Sequence, residues 1–277
     1  MKIAFVSTMN LRLYKYYGKR FLEEFGKFSS KDIQLFIVFE GDYPEEILKI
    51  SENIIILPFL STQHLNFRRK FSKLKEARGF RFNLIKHNKD EMVANVIYDF
   101  RFDAIRFSYK PFAIHQCLEY LPKDKTHLIW TDADLRCKKH FSPNDINEFL
   151  PHSDEVMTYL GRKDSYSECG FLGFNLEQAQ TKKYINRLIE VYESGEIFSY
   201  DQWHDSFLWD QIRMEFEKNY NDKFKNISGD ASDKEHVYKN TNLDNLFDHL
   251  KGPLRKDAGQ SSDEDYKTIV SKALKVN

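Results

Sequence analysis

The segment Leu128-Ile129-Trp130-Thr131-Asp132-Ala133-Asp134 ends a short apolar run at two carboxylates one residue apart. Two acids this close repel one another unless something positive lies between them. A divalent cation, which takes oxygen ligands, is the usual partner. The apolar run reads as a buried strand, so the pair would stand at its carboxyl end, where open α/β sheets bind ligands. The plain alternative is a solvated turn that happens to read Asp-x-Asp, because the pattern is short.

Four further groups of residues have the types needed for chemistry. Arg106 and Lys110 are four apart and share one face of a helix, where they would aim two cations at a diphosphate or a carboxylate, or simply form a solvated basic edge. In Ser167-Glu168-Cys169-Gly170-Phe171-Leu172-Gly173-Phe174-Asn175 an acid precedes a glycine-flanked apolar run. That pattern suits a close approach of backbone to ligand with Glu168 at its rim, or a bulged strand. Tyr200-Asp201-Gln202-Trp203-His204-Asp205-Ser206 gathers carboxylates, an imidazole and an indole at a helix start. Such a set suits a sugar pocket, with aromatic faces over C–H surfaces and carboxylates on hydroxyls. It also suits helix capping by Asp201 or Asp205, with Trp203 in the core. In His249-Leu250-Lys251-Gly252-Pro253-Leu254-Arg255-Lys256 the imidazole could add a nitrogen ligand, favouring Mn²⁺ over Mg²⁺. Arg255, Lys256 and the Gly252 backbone could contact phosphate.

Positioning these groups requires a sheet. Residues 2–7 read as a first buried strand. Residues 11–28 carry Tyr14, Tyr17, Phe21 and Phe25 at helical spacing, and 33–39 and 54–57 read as further strands. This is the opening of a parallel α/β sheet. Residues 101–121 predict a helix whose first turn Pro111 marks. After the Asp-x-Asp strand come strands at 155–160 and 170–175 and helices at 176–192 and 205–216. The expected fold class is α/β, with a mixed, mostly parallel central sheet flanked by helices. We expect one domain over 1–277: a nucleotide-binding half at 1–134, an acceptor and sugar half at 135–256, and a tail at 257–277.

The chain of 277 residues is 41% hydrophobic with 24 Phe and 15 Tyr, enough for an aromatic-rich core. Its formal net charge is zero, so no nucleic-acid partner is expected. Between Phe67 and Lys89, however, nine Lys or Arg accompany one acid, Glu76; this stretch predicts an amphipathic helix or a basic flap, a candidate contact for an anionic acceptor or a membrane surface through 68–89. Three scattered cysteines argue against a disulfide framework and for a reducing, cytoplasmic setting. Cys137 and His140 have metal-like spacing, but no second pair follows. Polar Asn10, Arg12 and Lys15 follow the first strand too soon for a signal peptide, and no apolar window is long enough for a transmembrane span.

Taken together these segments resemble the GT-A class of nucleotide-sugar glycosyltransferases, its retaining families in particular. Thr131-Asp132-Ala133-Asp134 is similar to their metal-binding Asp-x-Asp. Trp203-His204-Asp205 resembles the Trp-His-Asp segment of α-galactosyl and blood-group transferases. His249-Leu250-Lys251-Gly252-Pro253 with Arg255 resembles the His-x-x-Gly-Pro-x-Lys element of galactosyltransferases related to glycogenin. Arg-Phe-x-x-Lys, Ser-Glu-x-Gly-Phe and His-Leu-Lys-Gly also look like small cytosolic bacterial or phage transferases.

The resemblance implies a single GT-A, Rossmann-like domain with a C-terminal extension closing the site, and a metal-dependent hexosyl transfer. The donor would be a UDP-sugar and the acceptor a glycan or other hydroxyl. It implies Asp132, Asp134 and His249 as ligands of Mn²⁺ or Mg²⁺. Arg106, Lys110, Trp203, His204, Gly252, Arg255 and Lys256 would hold the donor, and Asp205 and Glu168 would flank the transferred sugar. Two positions depart from the patterns. Ser206 stands where the blood-group type has Glu, which removes the carboxylate a covalent intermediate of that kind needs. Arg255 stands for Lys, keeping the charge and adding bidentate capacity. Retention is the expected outcome; inversion with Asp205 as base and a non-catalytic glycan- or nucleotide-binding module are the alternatives. A haloacid-dehalogenase phosphohydrolase is disfavoured because Leu135 follows the acid pair. A nucleotidyltransferase is disfavoured because residues 7–11 form no glycine-rich loop.

Overall fold

Strand β1 (Ile3–Asn10) is buried along most of its length, as a strand in the middle of a sheet covered on both faces must be. The computed structural model describes residues 2–88, 91–229 and 237–261; Lys89, the acidic residues 230–236 and most of the expected tail, 262–277, lie outside the described residues. β1 runs parallel to β2 (Gln34–Glu40) and to β6 (His127–Thr131), and β2 runs parallel to β3 (Ile54–Pro58). β9 (Ser165–Asn175) is antiparallel to both β6 and β8 (Glu155–Arg162), and β10 (Lys223–Asn226) pairs parallel with β8. The seven-stranded order is β10-β8-β9-β6-β1-β2-β3, the mixed and mostly parallel sheet expected from the sequence.

Two small antiparallel ladders stand apart: β4 (Phe80–Asn88) with β5 (Glu91–Tyr98), and β7 (Leu135–Cys137) with β11 (Phe247–His249). The second joins residues more than a hundred positions apart.

Helices cover both faces. On one, α1 (Leu11–Leu13) passes through a π turn (Tyr14–Gly18) into α2 (Lys19–Phe28), whose buried Phe21, Leu22 and Phe25 join Phe5, Phe141 and Phe247 in an aromatic core. On the other, α3 (Thr62–Phe71), α4 (Ala104–Tyr120), α6 (Ala179–Ser194) and α7 (Asp205–Tyr220) surround Phe112, Trp130, Tyr184, Tyr192 and Trp209. Two short helices, α5 (Pro143–Ile146) and α8 (Pro253–Ala258), complete the set among the described residues.

Two details differ from the sequence reading. α4 begins at Ala104, where the Asp103 side chain accepts from Arg106 N, so Pro111 sits in its interior, not its first turn. Packing of Phe112, Ala113 and Ile114 in the core outweighs the backbone hydrogen bond that the proline cannot donate. The basic stretch is not one helix: α3 stops at Phe71 and a hairpin starts at Phe80. Gly79 makes the turn between them at φ 81°, and a Cβ there would meet the Asp99 carbonyl oxygen at 2.8 Å.

Candidate active site

Asp132 and Asp134 follow directly on β6, at the carboxyl end of the central strands. The β7–β11 ladder brings the third member of the cluster. His249 pairs with Leu135, the residue after Asp134, and Leu250 N donates to the Asp134 carbonyl at 3.1 Å. His249 Nε2 therefore lies 3.3 Å from Asp134 Oδ1 and 3.8 Å from Asp132 Oδ2. One donor atom from each of the three residues falls within 4.8 Å of the others.

The backbone makes room for this imidazole. A Cβ on Gly170 would stand 2.8 Å from His249 Cε1 and 3.0 Å from Nδ1, so the glycine after Glu168-Cys169 serves the histidine.

Charges around the cluster are paired, and all but the exposed Lys251 are at least partly buried. Lys110 Nζ reaches Asp205 Oδ2 at 2.6 Å, Asp132 Oδ1 at 3.1 Å and the Cys169 carbonyl at 2.8 Å. Lys256 Nζ is 2.7 Å from Asp134 Oδ2, and Lys251 pairs with Glu168. Trp130 Nε1 donates to Asp132 at 2.9 Å. Burial pushes the Asp132 carboxyl up, and the negative charge of Asp134 adds to this against the pull of Lys110. For Asp134 burial is outweighed by His249 and Lys256, which hold its carboxyl below the usual range. Burial also opposes charge on His249, but Asp134, Glu168 and Asp132 together hold its imidazole above the ordinary value. Glu168, buried but facing Lys251, His249 and Arg162, is held down at about 2. Asp205, buried against Lys110, is likewise lowered.

Two carboxylates and an imidazole around one point are the ligand set of a hard to borderline divalent cation. The buried Asp134 Oδ1 accepts no well-formed hydrogen bond although it faces the centre of the cluster. A buried carboxylate oxygen whose one close polar neighbour is an imidazole at 3.3 Å is poorly satisfied, and a bound cation would satisfy it. The donor set therefore fits a metal ion.

The cluster borders a cavity of about 500 Å³. Arg106, Lys110, Asp132, Asp134, Asp205 and Lys256 line it. Its other end is formed by Thr8, Asn10 and Glu40, at the carboxyl ends of β1 and β2, with Tyr17 and Tyr109 on its walls. Asn10 and Glu40 are register partners, and Asn10 Nδ2 and Thr8 Oγ1 donate to the Glu40 carboxylate at 3.3 and 3.2 Å. Sequence reading passed over these residues; the signal that could have found them is a polar residue closing each of two adjacent apolar strands.

Other expected site residues stand behind the cavity wall. His249 contacts the lining residue Asp134, whereas Glu168 pairs with Lys251 and neither of these two lines the cavity. Trp203 is a core residue whose Nε1 donates to the Tyr200 carbonyl at 3.1 Å, against Phe102 and Phe198. His204, not Asp201 or Asp205, caps α7: its Nδ1 accepts from Phe207 N at 3.3 Å. That leaves Asp205 free to turn toward Lys110. Gly252 takes φ 85° ahead of α8, and buried Arg255 donates to the Lys251 carbonyl at 3.0 Å, bracing the loop with Lys251 against the helix that carries Lys256.

No protein-family model and no curated protein sequence matches the chain. Solved structures do. Mouse xyloside xylosyltransferase 1 is similar over 82% of this chain and 86% of its own, with 13% identity and a TM-score of 0.48. The glycosyltransferase GlyE of Streptococcus pneumoniae TIGR4 is similar over 81% of this chain and 45% of its own, with 12% identity and a TM-score of 0.48. A glycosyltransferase involved in the glycosylation of the major capsid of PBCV-1 is similar over 93% of this chain and all of its own, with 12% identity and a TM-score of 0.46. At such identities the reading of function rests on the site itself.

Proposed function

We propose that this chain is a metal-dependent GT-A glycosyltransferase that moves a hexose from UDP to a hydroxyl acceptor with retention of anomeric configuration. The observation that carries the reading is the convergence of Asp132, Asp134 and His249 within 4.8 Å beside a cavity whose lining carries both acids and the cations Arg12, Arg106, Lys110 and Lys256. These three residues would hold Mn²⁺ or Mg²⁺. When bound, such an ion supplies Lewis-acid stabilisation to a departing diphosphate.

The chain's own side chains account for the rest. Lys256 and Arg106 give the cavity fixed positive charge where a diphosphate would develop negative charge, a large kind of catalytic contribution. Gly252 and Arg255 would shape the loop that presents Lys251 and Lys256. Trp203 and His204 would hold the α7 start from below, so that Asp205 faces the sugar. Asp205 and Glu168 are buried carboxylates able to stabilise an oxocarbenium-like sugar. The 2.6 Å ion pair of Asp205 with Lys110 suits a stabiliser of positive charge better than a proton acceptor, which favours retention over inversion with Asp205 as base.

Thr8, Asn10 and Glu40 would take the nucleoside, at the end of the cavity away from Asp205. The three free, buried cysteines fit a reducing cytoplasm. Among the described residues no helix is long and apolar enough to cross a membrane; peripheral membrane contact through 68–89 is a separate proposal.

A panel of UDP-, GDP- and CMP-sugars, scored for Mn²⁺-dependent hydrolysis and followed by NMR of the product anomer, tests it. Thermal stabilisation by a nucleotide only when Mn²⁺ is present is the expected companion result. A chain that binds glycan without nucleotide, and hydrolyses none of the panel, is a binding module instead.

A further inference from the structure

The charge between α3 and the hairpin is not used by the cavity. Arg69, Lys70, Lys73, Lys75 and Arg78 are exposed along the end of α3 and the turn after it, and none forms an ion pair among the described residues. Beside them Phe82, Val96, Tyr98 and Phe100 are 48 to 56% exposed, and Leu74 of the same turn is equally open. Phe82 is the cross-strand partner of Val96, and Phe80 of Tyr98, so these residues share one face of the hairpin. Turn and hairpin form one piece: Phe80 N donates to the Lys75 carbonyl at 3.0 Å and Asp99 N to that of Gly79 at 2.8 Å.

The opposite face is anchored. Arg81 alternates to that side, and its guanidinium lies 3.7 Å from the Phe102 ring and 4.5 Å from that of Trp203. At the rim of the patch itself, the half-open Phe100 ring also leans on His204, with centroids 5.9 Å apart, and His204 precedes Asp205. The patch is thus fixed in orientation beside the sugar end of the cavity.

We propose that this patch docks on an anionic lipid bilayer. Cations alone would suit any polyanion, and apolar rings alone would suit another protein. Both in one patch match the bilayer interface, where rings enter the headgroup boundary and Lys and Arg meet lipid phosphates. Each such cation strengthens attachment to an anionic leaflet by about fivefold. On the transferase reading, one consequence follows: the sugar end of the cavity faces the bilayer, and the acceptor hydroxyl belongs to a membrane-borne molecule. The docking itself does not depend on that reading.

The test is co-sedimentation of the full chain with vesicles of phosphatidylcholine alone and with about a third phosphatidylserine. Binding is expected only to the anionic vesicles. It should fall at least tenfold in Lys73→Glu/Lys75→Glu/Arg78→Glu, and also in Phe82→Ser/Val96→Ser. These exposed positions allow both variants to keep the wild-type melting curve. The variant Asp134→Ala should sediment like wild type, so loss of transfer and loss of docking read out separately. Equal binding to both vesicle types, no binding, or binding untouched by both sets of substitutions overturns the proposal. So does a concentration-dependent dimer in sedimentation velocity that Phe82→Ser/Val96→Ser abolishes, which would make the patch a contact between copies of this chain.

Discussion

Lys110 joins two acids that come from different parts of the chain: its Nζ is 2.6 Å from Asp205 and 3.1 Å from Asp132. Burial disfavours its charge, yet the two carboxylates hold its ammonium above the ordinary value. Lys110→Met would leave both acids without their shared counter-charge in a buried site. We expect a loss of about 3 kcal/mol, seen as a melting temperature lower by roughly 6–12 °C. A melt that is unchanged means that solvent already serves these acids.

The metal cluster makes a sharper prediction. Asp134→Ala and His249→Ala should each abolish saturable Mn²⁺ binding in calorimetry and lower transfer by a hundredfold or so, with the circular dichroism spectrum preserved. EDTA should mimic both variants in the wild-type chain. Undiminished transfer by Asp134→Ala that ignores EDTA would remove the metal from the mechanism.

Gly170 offers a way to disturb the imidazole without touching a ligand. An added methyl at 2.8 Å from His249 Cε1 must displace the ring, since β9 is held on both sides by β6 and β8. Gly170→Ala is expected to weaken Mn²⁺ binding about 10- to 100-fold while the sheet survives. Wild-type affinity in this variant would mean that His249 has room to spare.

His64, packed behind the Tyr109 wall of the cavity, predicts a pH dependence of stability. It is fully buried among Phe59, Tyr109 and Phe112, with Nε2 2.7 Å from Ser108 Oγ, and burial lowers its pKa to about 3. Below the ordinary value of 6.5 the unfolded chain takes up a proton that the folded chain refuses. Stability is therefore full above that value and falls as pH drops toward 3, by about 1.4 kcal/mol per unit at most. Urea midpoints at pH 7 and pH 4.5 should differ less in His64→Leu than in wild type. Ser108 keeps its bond to the Ile105 carbonyl in that variant. Identical acid sensitivity would assign the effect to other groups.

The sequence disclosed the scaffold where periodicity is long and one-sided. The run ending at Asp132-Ala133-Asp134 and the helical spacing of Phe21 and Phe25 depend only on local pattern, and both elements stand where expected. Ladder β7–β11 was not legible, because three-residue strands carry no period and their partners are remote in sequence. The hairpin was hidden by its charges: Lys and Arg between apolar residues read equally as a helix face. His204 as the cap of α7 was missed because aspartates on both sides are better cap residues by type, and only the folded loop decides which side chain meets Phe207 N. Glu40 and Asn10 looked like ordinary strand ends until their register was known.

The three-residue strand that delivers His249 has a consequence for assembly. Six of the seven sheet strands are complete by residue 175 and the last by residue 226, so the scaffold can consolidate while the imidazole is still missing. A nascent chain would hold the complete central sheet but lack its third ligand until Phe247–His249 pairs with Leu135–Cys137. A single proteolytic cut just before Phe247 would silence the cluster while leaving most of the molecule intact.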